Sequence, residues 1–451
     1  MANALNGIGD DQDLRAALGW FHEIDPTSGG LAKRIISAQE FFRAHAAERE
    51  LQWPEPTDLL MKSDLIASYL AQADAFLQEP RSYDLTLAAH IVPFIKHIGM
   101  GLKVLRRMPG VVDRARRLLN PKQEHPDGAL YELIAAIRYA HEEFEVEFVP
   151  ESACRSADLR VGPPDSTKDL YIECKRLRPS DYELREKASI KALFAPLARL
   201  IHERRLSVFV DVQFVAELTK VPRTYLADRV ASAAQAPLQL LNGYPWRDRY
   251  AEGVVRQTHI AHVRADTDEH GPLIVGPKMW RLLTGEVLQS GSYHVALQAK
   301  SDDRDPRYVD DVLYASVLSW QCLAPESIDA RARHISSLLA RIDRQLEMAP
   351  MGIAHIGMYA ERDTVSADLR RARNIAAVRR FRANSKLTDV YLHYYLPRIS
   401  ENHSWTIDET ADSSSRLDAP LLDDPRLLFH GDSMLDTDVA AWHLQFPPAV
   451  S

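Results

Sequence analysis

Residues 169–177 read DLYIECKRL, a β-strand pattern that carries a carboxylate and an ammonium one residue apart. Successive side chains of a strand point to opposite faces, so Ile172 and Cys174 share one face while Glu173 and Lys175 share the other. The backbone therefore forces the two charges together. On its own, Glu-x-Lys describes a solvated cross-strand ion pair; its meaning depends on what surrounds it.

Working outward, GALYELIAAIRYAHEEF has helical periodicity, EVEFVP and ADLRV are short alternating strands, and LYIECKRL is a third strand. A long helix, YELREKASIKALFAPLARLIHERR, and a further strand, LSVFVDVQF, follow. The short turn GPPDSTKD predicts an antiparallel hairpin between the second and third strands. The long helix has the length of a crossover to a parallel neighbour. The expected fold class is α/β (α+β), with an αβββαβ core and a mixed sheet over residues 127–216. An all-helical region, residues 1–126, precedes it, with breaks at WPEPTD and NPKQEHPDG. Residues 217–400 are mixed, with helix-like IDARARHISSLLARIDRQLE and strands GIAHIGM and LTDVYLHYYL; they extend the same sheet or form a second small α/β unit. Residues 401–451 read as an acidic, Ser/Pro-rich, loosely held tail.

The composition fits this picture. The chain has 451 residues, 46% hydrophobic and 26% charged, enough for two or three domains with sizeable cores. A net charge of −8 argues against a generally basic, nucleic-acid-coating surface and leaves room for a local basic cleft. Cys154, Cys174 and Cys322 show no C-x-x-C spacing, so neither a disulfide framework nor a structural zinc site is indicated. The N-terminus lacks a basic segment followed by an apolar one, and no apolar run reaches bilayer length. A cytoplasmic protein without membrane contact is expected.

The chemistry lies at the charged strand. Asp158 begins the second strand and, across the hairpin, is placed to face Glu173 and Lys175. Two converging carboxylates suit a hard divalent cation such as Mg²⁺, with Mn²⁺ as substitute. Such a cation polarises a phosphate oxygen and acidifies water. Lys175 is suited to orient or deprotonate that water, or to stabilise the charge that builds on the phosphorus.

The run YELIAAIRYAHEEFEVEFVP, ADLRV, YIECKRL resembles the PD-(D/E)XK nuclease superfamily, whose restriction-endonuclease-like core has this element order. The resemblance covers residues 128–214. It implies Asp158, Glu173 and Lys175 as catalytic residues, Glu132 on the first helix as an additional carboxylate, and Asp158, Glu173 and Glu132 as metal ligands. Ala157 stands where the family has proline; proline ligates nothing, so this does not disable the site. The apolar positions Leu130, Leu133, Ile134, Ile137 and Phe144 place Glu132 nearly opposite its helix's buried face. The function implied is Mg²⁺-dependent phosphodiester hydrolysis in DNA, in restriction, phage defence or DNA processing. Alternatives are a nuclease-fold module that binds nucleic acid or a protein without cutting, and a ribonuclease. A homodimer would supply two sites for a duplex.

Other candidates are nucleic-acid contacts. Lys187 and Lys191 sit one helical turn apart after the charged strand. Lys103, Arg106, Arg107, Arg114, Arg116 and Arg117 form a basic run before the core, and DLRRARNIAAVRRFRANSK is a third. Each equally suits a solvated face. His259, His262, His355 and His393 lack metal-ligand spacing and read as core or surface histidines. Cys174 points away from the charged face and reads as packing. GMGLK lacks the setting of a dinucleotide loop, and no P-loop or serine-hydrolase motif occurs.

Overall fold

The computed structural model describes residues 11–27, 29–47, 59–78, 83–123, 125–150, 156–162, 169–177, 180–265, 277–286, 293–301, 309–360, 364–399, 405–416, 427–429 and 440–443. The break expected at WPEPTD, most of the turn GPPDSTKD, and Cys154 lie outside them.

The N-terminal region is helical: α1 (Gln12–Ile24), α2 (Gly30–Ala47), α3 (Leu65–Leu77), α4 (Leu85–Met100), α5 (Leu102–Leu105) and α6 (Val111–Leu118). Asp11, Asp64 and Asp84 cap α1, α3 and α4, accepting from the backbone N–H of Leu14, Ala67 and Leu87 at 3.0, 3.2 and 2.9 Å. Each cap satisfies an amide that a helix start leaves unpaired. Next comes α7 (Pro126–His141), with proline in its first turn, then β1 (Glu145–Phe148), β2 (Leu159–Gly162) and β3 (Leu170–Arg176). Leu14, Phe21, Leu70, Ile95, Leu133 and Ile172 belong to one continuous hydrophobic core. The helical region and the inner face of the sheet are thus packed together.

As expected, β2 and β3 pair antiparallel, with Leu159 opposite Ile172 and Val161 opposite Leu170. The long helix α8 (Asp181–Arg204) departs from expectation. It delivers β4 (Val208–Phe214) to a second sheet instead of to the side of β3. That sheet also takes β5 (Tyr244–Arg247), β6 (Ala251–Gln257), β7 (Tyr293–Ser301) and β8 (Val309–Cys322), in the order β5-β6-β4-β8-β7. There β4 meets apolar layers on both sides: Val210 and Val212 pack under α8 and α9 (Tyr225–Ala234), Phe209 under α11 (Ile260–Arg264) and α12 (Pro277–Thr284). A short helix, α10 (Pro237–Asn242), leads into β5.

The parallel neighbour of β3 arrives after this insertion. α13 (Pro325–Gln345) leads to β9 (Gly352–Tyr359), which pairs with β3 in parallel, Glu173 beside Ala354 and Lys175 beside Ile356. α14 (Thr364–Arg380) and β10 (Leu387–Ile399) extend the sheet to β1-β2-β3-β9-β10. GIAHIGM and LTDVYLHYYL therefore join the first sheet. Ile335, Leu339 and Ile342 of α13 and Val378 of α14 cover its outer face, packing on Ala354 and Ile356.

The segment expected to be a loose acidic tail contributes the sheet's edge. β11 (Trp405–Ser415) pairs with β10 along its length, from Ile399 opposite Trp405 to Asp389 opposite Ser415. Its acidic residues find partners that composition does not reveal: Asp408 pairs with Arg398, Glu409 with His393 at 2.7 Å, and Asp412 with Arg371 at 2.6 Å. Trp442 is buried, its indole N–H donating to Asp368 at 2.8 Å. The rest of the expected tail, apart from 416, 427–429 and 440–443, lies outside the described residues. Among the described residues no helix is long and apolar enough to cross a membrane.

One glycine fixes how the helical region meets the sheet. Gly110 precedes α6 with φ +78°, and a Cβ there would stand 2.8 Å from the Phe148 carbonyl oxygen. Glycine alone accepts both conditions. Gly110→Ala is expected to cost about 1–3 kcal/mol, lowering the apparent Tm in thermal melts. Gly128→Ala in α7, whose Cβ would meet nothing within 4 Å, is expected to be neutral or stabilising.

Candidate active site

Strand alternation places the charges as the sequence requires, with one difference in environment. Ile172 and Cys174 pack into the core shared with the N-terminal helices. Glu173, on the opposite face, is 0% exposed: with β9 beside it and α13 and α14 over that face, the strand is buried on both sides. Asp158 sits just ahead of β2. Its N–H donates to the Ile172 carbonyl at 2.9 Å, and its Oδ2 accepts from the Cys174 N–H at 2.8 Å. These two bonds hold the Asp158 carboxylate against β3. Lys175 Nζ pairs with Glu173 Oε1.

Glu132 also arrives, against its expected orientation. The helix α7 is buried on nearly every side from Pro126 to Tyr139, because the N-terminal helices cover the face that periodicity marks as outer. Glu132 is consequently 8% exposed. Its partner is a residue assigned by sequence to a surface run: Arg114 Nη1 lies 2.7 Å from Glu132 Oε2 and 3.7 Å from Asp158 Oδ1. Arg114 Nη2 also donates to the Asp158 carbonyl at 3.4 Å. A signal for this was present. In VVDRARRL, Arg114 occupies the i+3 position of the stripe Val111, Ala115, Leu118, all buried, so a cation stands where a core residue is due.

Three carboxylates and two cations thus meet with little water. Burial, then the nearby Asp158 charge, push the Glu173 carboxyl up to about 8, against the pull of Lys175 and Arg114. Burial and Asp158 likewise raise Glu132 well above the ordinary glutamate range, with Arg114 and Lys175 opposing. For Lys175, burial works against the ammonium, but Asp158, Glu173 and Glu132 outweigh it and hold the group above the usual lysine value. Lys175 is 28% exposed, whereas Glu173 is fully enclosed and Arg114 is 5% exposed. The lysine marks the side open to solvent.

The donor chemistry, carboxylate oxygens with no thiolate or imidazole among them, is of the kind that a hard cation takes. Among the described residues, Glu173 Oε2 is buried with no hydrogen-bond donor, an arrangement that costs free energy unless something supplies positive charge. Among the described residues no group of three His, Cys, Asp or Glu side chains is arranged to hold a metal ion, and Arg114 already engages Glu132. Asp158 and Glu173 are the pair that would hold a cation, with water and substrate oxygens completing the shell as Mg²⁺ prefers.

The remaining candidates divide. Lys103, Arg106 and Arg107 are exposed around α5, with Arg106 paired to Glu23 at 2.5 Å. Arg116 and Arg117 are exposed on α6, the helix that carries Arg114. Lys187 is exposed on α8. Lys191 stands beside His294 of the second sheet, where burial first and Lys191 second keep the imidazole at about 4. In the third basic run, Arg370, Arg371 and Arg373 pair with Glu183, Asp412 and Asp329. The Cys174 thiol is buried, and burial and Asp158 push its pKa up, in keeping with packing. His355 and His393 are fully buried and hydrogen-bonded.

Burial of Glu173 has a measurable consequence. Between 4.5, the ordinary glutamate value, and about 8, the folded protein holds a proton that the unfolded chain has lost. Stability therefore falls as pH rises through this window and levels off above it. Metal-free wild type compared with Glu173→Gln is expected to lose a few kcal/mol between pH 5 and pH 8, read by denaturation at each pH; parallel curves would remove the buried-acid account. No protein family's sequence profile matches the chain, and no curated protein sequence matches it significantly.

Proposed function

We propose that the chain is a metal-dependent nuclease of the PD-(D/E)XK kind, hydrolysing phosphodiester bonds in DNA. One observation carries this reading: Asp158, Glu173 and Lys175 converge on an antiparallel hairpin that follows a helix and one short strand. The parallel strand beside β3 and the orphaned Glu173 Oε2 add support.

Asp158 and Glu173 would hold the cation. A divalent cation bound there polarises a phosphate oxygen and acidifies the attacking water. Lys175 remains an ammonium at neutral pH, because its carboxylate neighbours raise its pKa. It therefore orients the water and stabilises charge accumulating on the phosphate, and does not act as the base. The Cys174 N–H fixes Asp158 before substrate arrives, so little rearrangement opposes the reaction.

The exposed basic residues Lys103, Arg107, Arg116 and Arg117 belong to the segment that delivers Arg114 to the site. Arg116 and Arg117 follow Arg114 by two and three residues on α6, about 3 and 4.5 Å along the helix axis, and with Lys103 and Arg107 are the candidates to track the backbone of a bound strand.

The test is cleavage of duplex DNA, single-stranded DNA and RNA with Mg²⁺ or Mn²⁺. Wild type is expected to cut DNA, and Asp158→Ala, Glu173→Ala and Lys175→Ala to lose at least about 10²-fold. Equal cleavage by wild type and Lys175→Ala would sink the assignment, and cleavage of RNA alone would change the substrate. A second reading, a module that holds nucleic acid without cutting, draws on the Arg114–Glu132 pair, which withdraws one carboxylate from any cation; tight DNA binding without cleavage in either metal favours it. Lys103→Ala with Arg107→Ala is expected to weaken DNA binding equally across sequences. The slope of log affinity against log salt should become shallower by about one for each phosphate that is no longer neutralised.

A further inference from the structure

The arginine that meets the carboxylates comes from the helical region, outside the nuclease-like segment. It is held from several sides: Nη1 by Glu132 at 2.7 Å and by Asp158 Oδ1 at 3.7 Å, Nη2 by the Asp158 carbonyl at 3.4 Å, and the guanidinium over the Phe148 ring at 5.9 Å. The Phe148 backbone is itself tied to this segment, its N–H donating to Pro109 at 3.0 Å beside the positive-φ Gly110.

A buried arginine–glutamate pair that serves only as mutual counter-ions can be exchanged, both partners together, for apolar side chains, often without loss. Arg114 is not confined to one such pair, since it spans two of the three carboxylates. With every group ionised, Glu132, Asp158 and Glu173 bring three negative charges, Arg114 and Lys175 two positive. Without Arg114, the same walls would offer three carboxylates against one ammonium, a set that attracts a second divalent cation.

We propose that Arg114 is a positioning residue that takes the place of a second metal ion: it keeps Glu132 out of the ligand set, so that the site accepts one divalent cation, at Asp158 and Glu173. This rests on the nuclease reading for the identity of the site. The guanidinium differs from a metal in being covalently fixed, so its positive charge is present before any ion binds. It also differs in reach: its position depends on α6, so the helical region sets how many cations the strands can hold.

The experiment counts Mn²⁺ bound to the full-length chain by electron paramagnetic resonance and isothermal titration, with folding checked by circular dichroism. Wild type is expected to bind one ion, and Arg114→Lys, which keeps the charge, to match it. Arg114→Met is expected to bind a second ion, or the first at least about tenfold more tightly; Arg114→Gln, which keeps hydrogen-bonding capacity without the charge, serves if the methionine variant fails to fold. Identical stoichiometry and affinity in wild type and the charge-removing variants would overturn the proposal and leave Arg114 a structural residue. Binding to Arg114→Met but not to wild type would overturn the proposal, which requires wild type to hold one ion at Asp158 and Glu173, and would remove metal dependence from the proposed function. No binding by either would overturn both readings.

Discussion

The parallel pairing of β3 with β9 is the constraint on which the rest depends. It sets Glu173 beside Ala354 and Lys175 beside Ile356 and converts what would be a hairpin edge into an interior strand. The cost of enclosing Glu173 then has to be offset by charge supplied from elsewhere. Lys175 supplies it from the same strand, and Arg114 from a helix some sixty positions earlier. The site's electrostatics follow from this burial: the glutamates are pushed toward their neutral forms while the cations are held charged.

The other face of the same sheet solves a related problem with a buried hydrogen-bond chain. Tyr139 meets His355 Nε2 at 2.9 Å, His355 Nδ1 meets His393 Nε2 at 2.9 Å, and His393 Nδ1 meets Glu409 at 2.7 Å. One proton arrangement satisfies every link with neutral imidazoles: Tyr139 donates to His355, His355 to His393, and His393 to Glu409. The backbone N–H groups of Leu428 and Phe429 complete Glu409 at 3.1 and 2.8 Å. Burial, with His393 second, holds His355 well below the usual histidine value, as this arrangement requires. The chain joins α7 to β9, β10 and β11 and so fixes the helix from which Glu132 projects. Nearby, Arg176 is enclosed by Phe94, Tyr359 and Tyr395, with its guanidinium carbon 5.2, 4.2 and 4.8 Å from their rings.

Much of this was legible in DLYIECKRL and its flanks, because alternation and turn length are local properties. They predicted which residues share a face and that β2 and β3 form a hairpin. What they do not encode is the identity of a strand's neighbour. Val208–Phe214 was expected beside β3 because a long helix precedes it, yet its partners are β6 and β8, and β8 begins about a hundred residues later. Glu132 was misoriented for the same reason: the apolar stripe of α7 marks one buried face, and only the packed N-terminal helices bury the other. Asp408, Glu409 and Asp412 read as tail because acidic composition is silent about Arg398, His393 and Arg371 waiting on adjacent elements.

The insertion between β3 and β9 raises the question of what keeps those strands in register across the detour. The chain leaves β3 through α8, which opens with a reciprocal cap between Ser180 and Glu183. Its buried Glu186 meets Arg331 of α13 at 2.5 Å, and Glu183 meets Arg370 of α14 at 3.2 Å. The departing helix is thus bound to the two helices that flank β9. Both bonds are charge-assisted and largely out of water, where breaking one partner leaves a buried charge uncompensated. Loop closure over a long insertion is entropically modest, growing only with the logarithm of length, so two such clamps suffice to bring the ends together. The second sheet can then be large without loosening the strand pair that encloses Glu173.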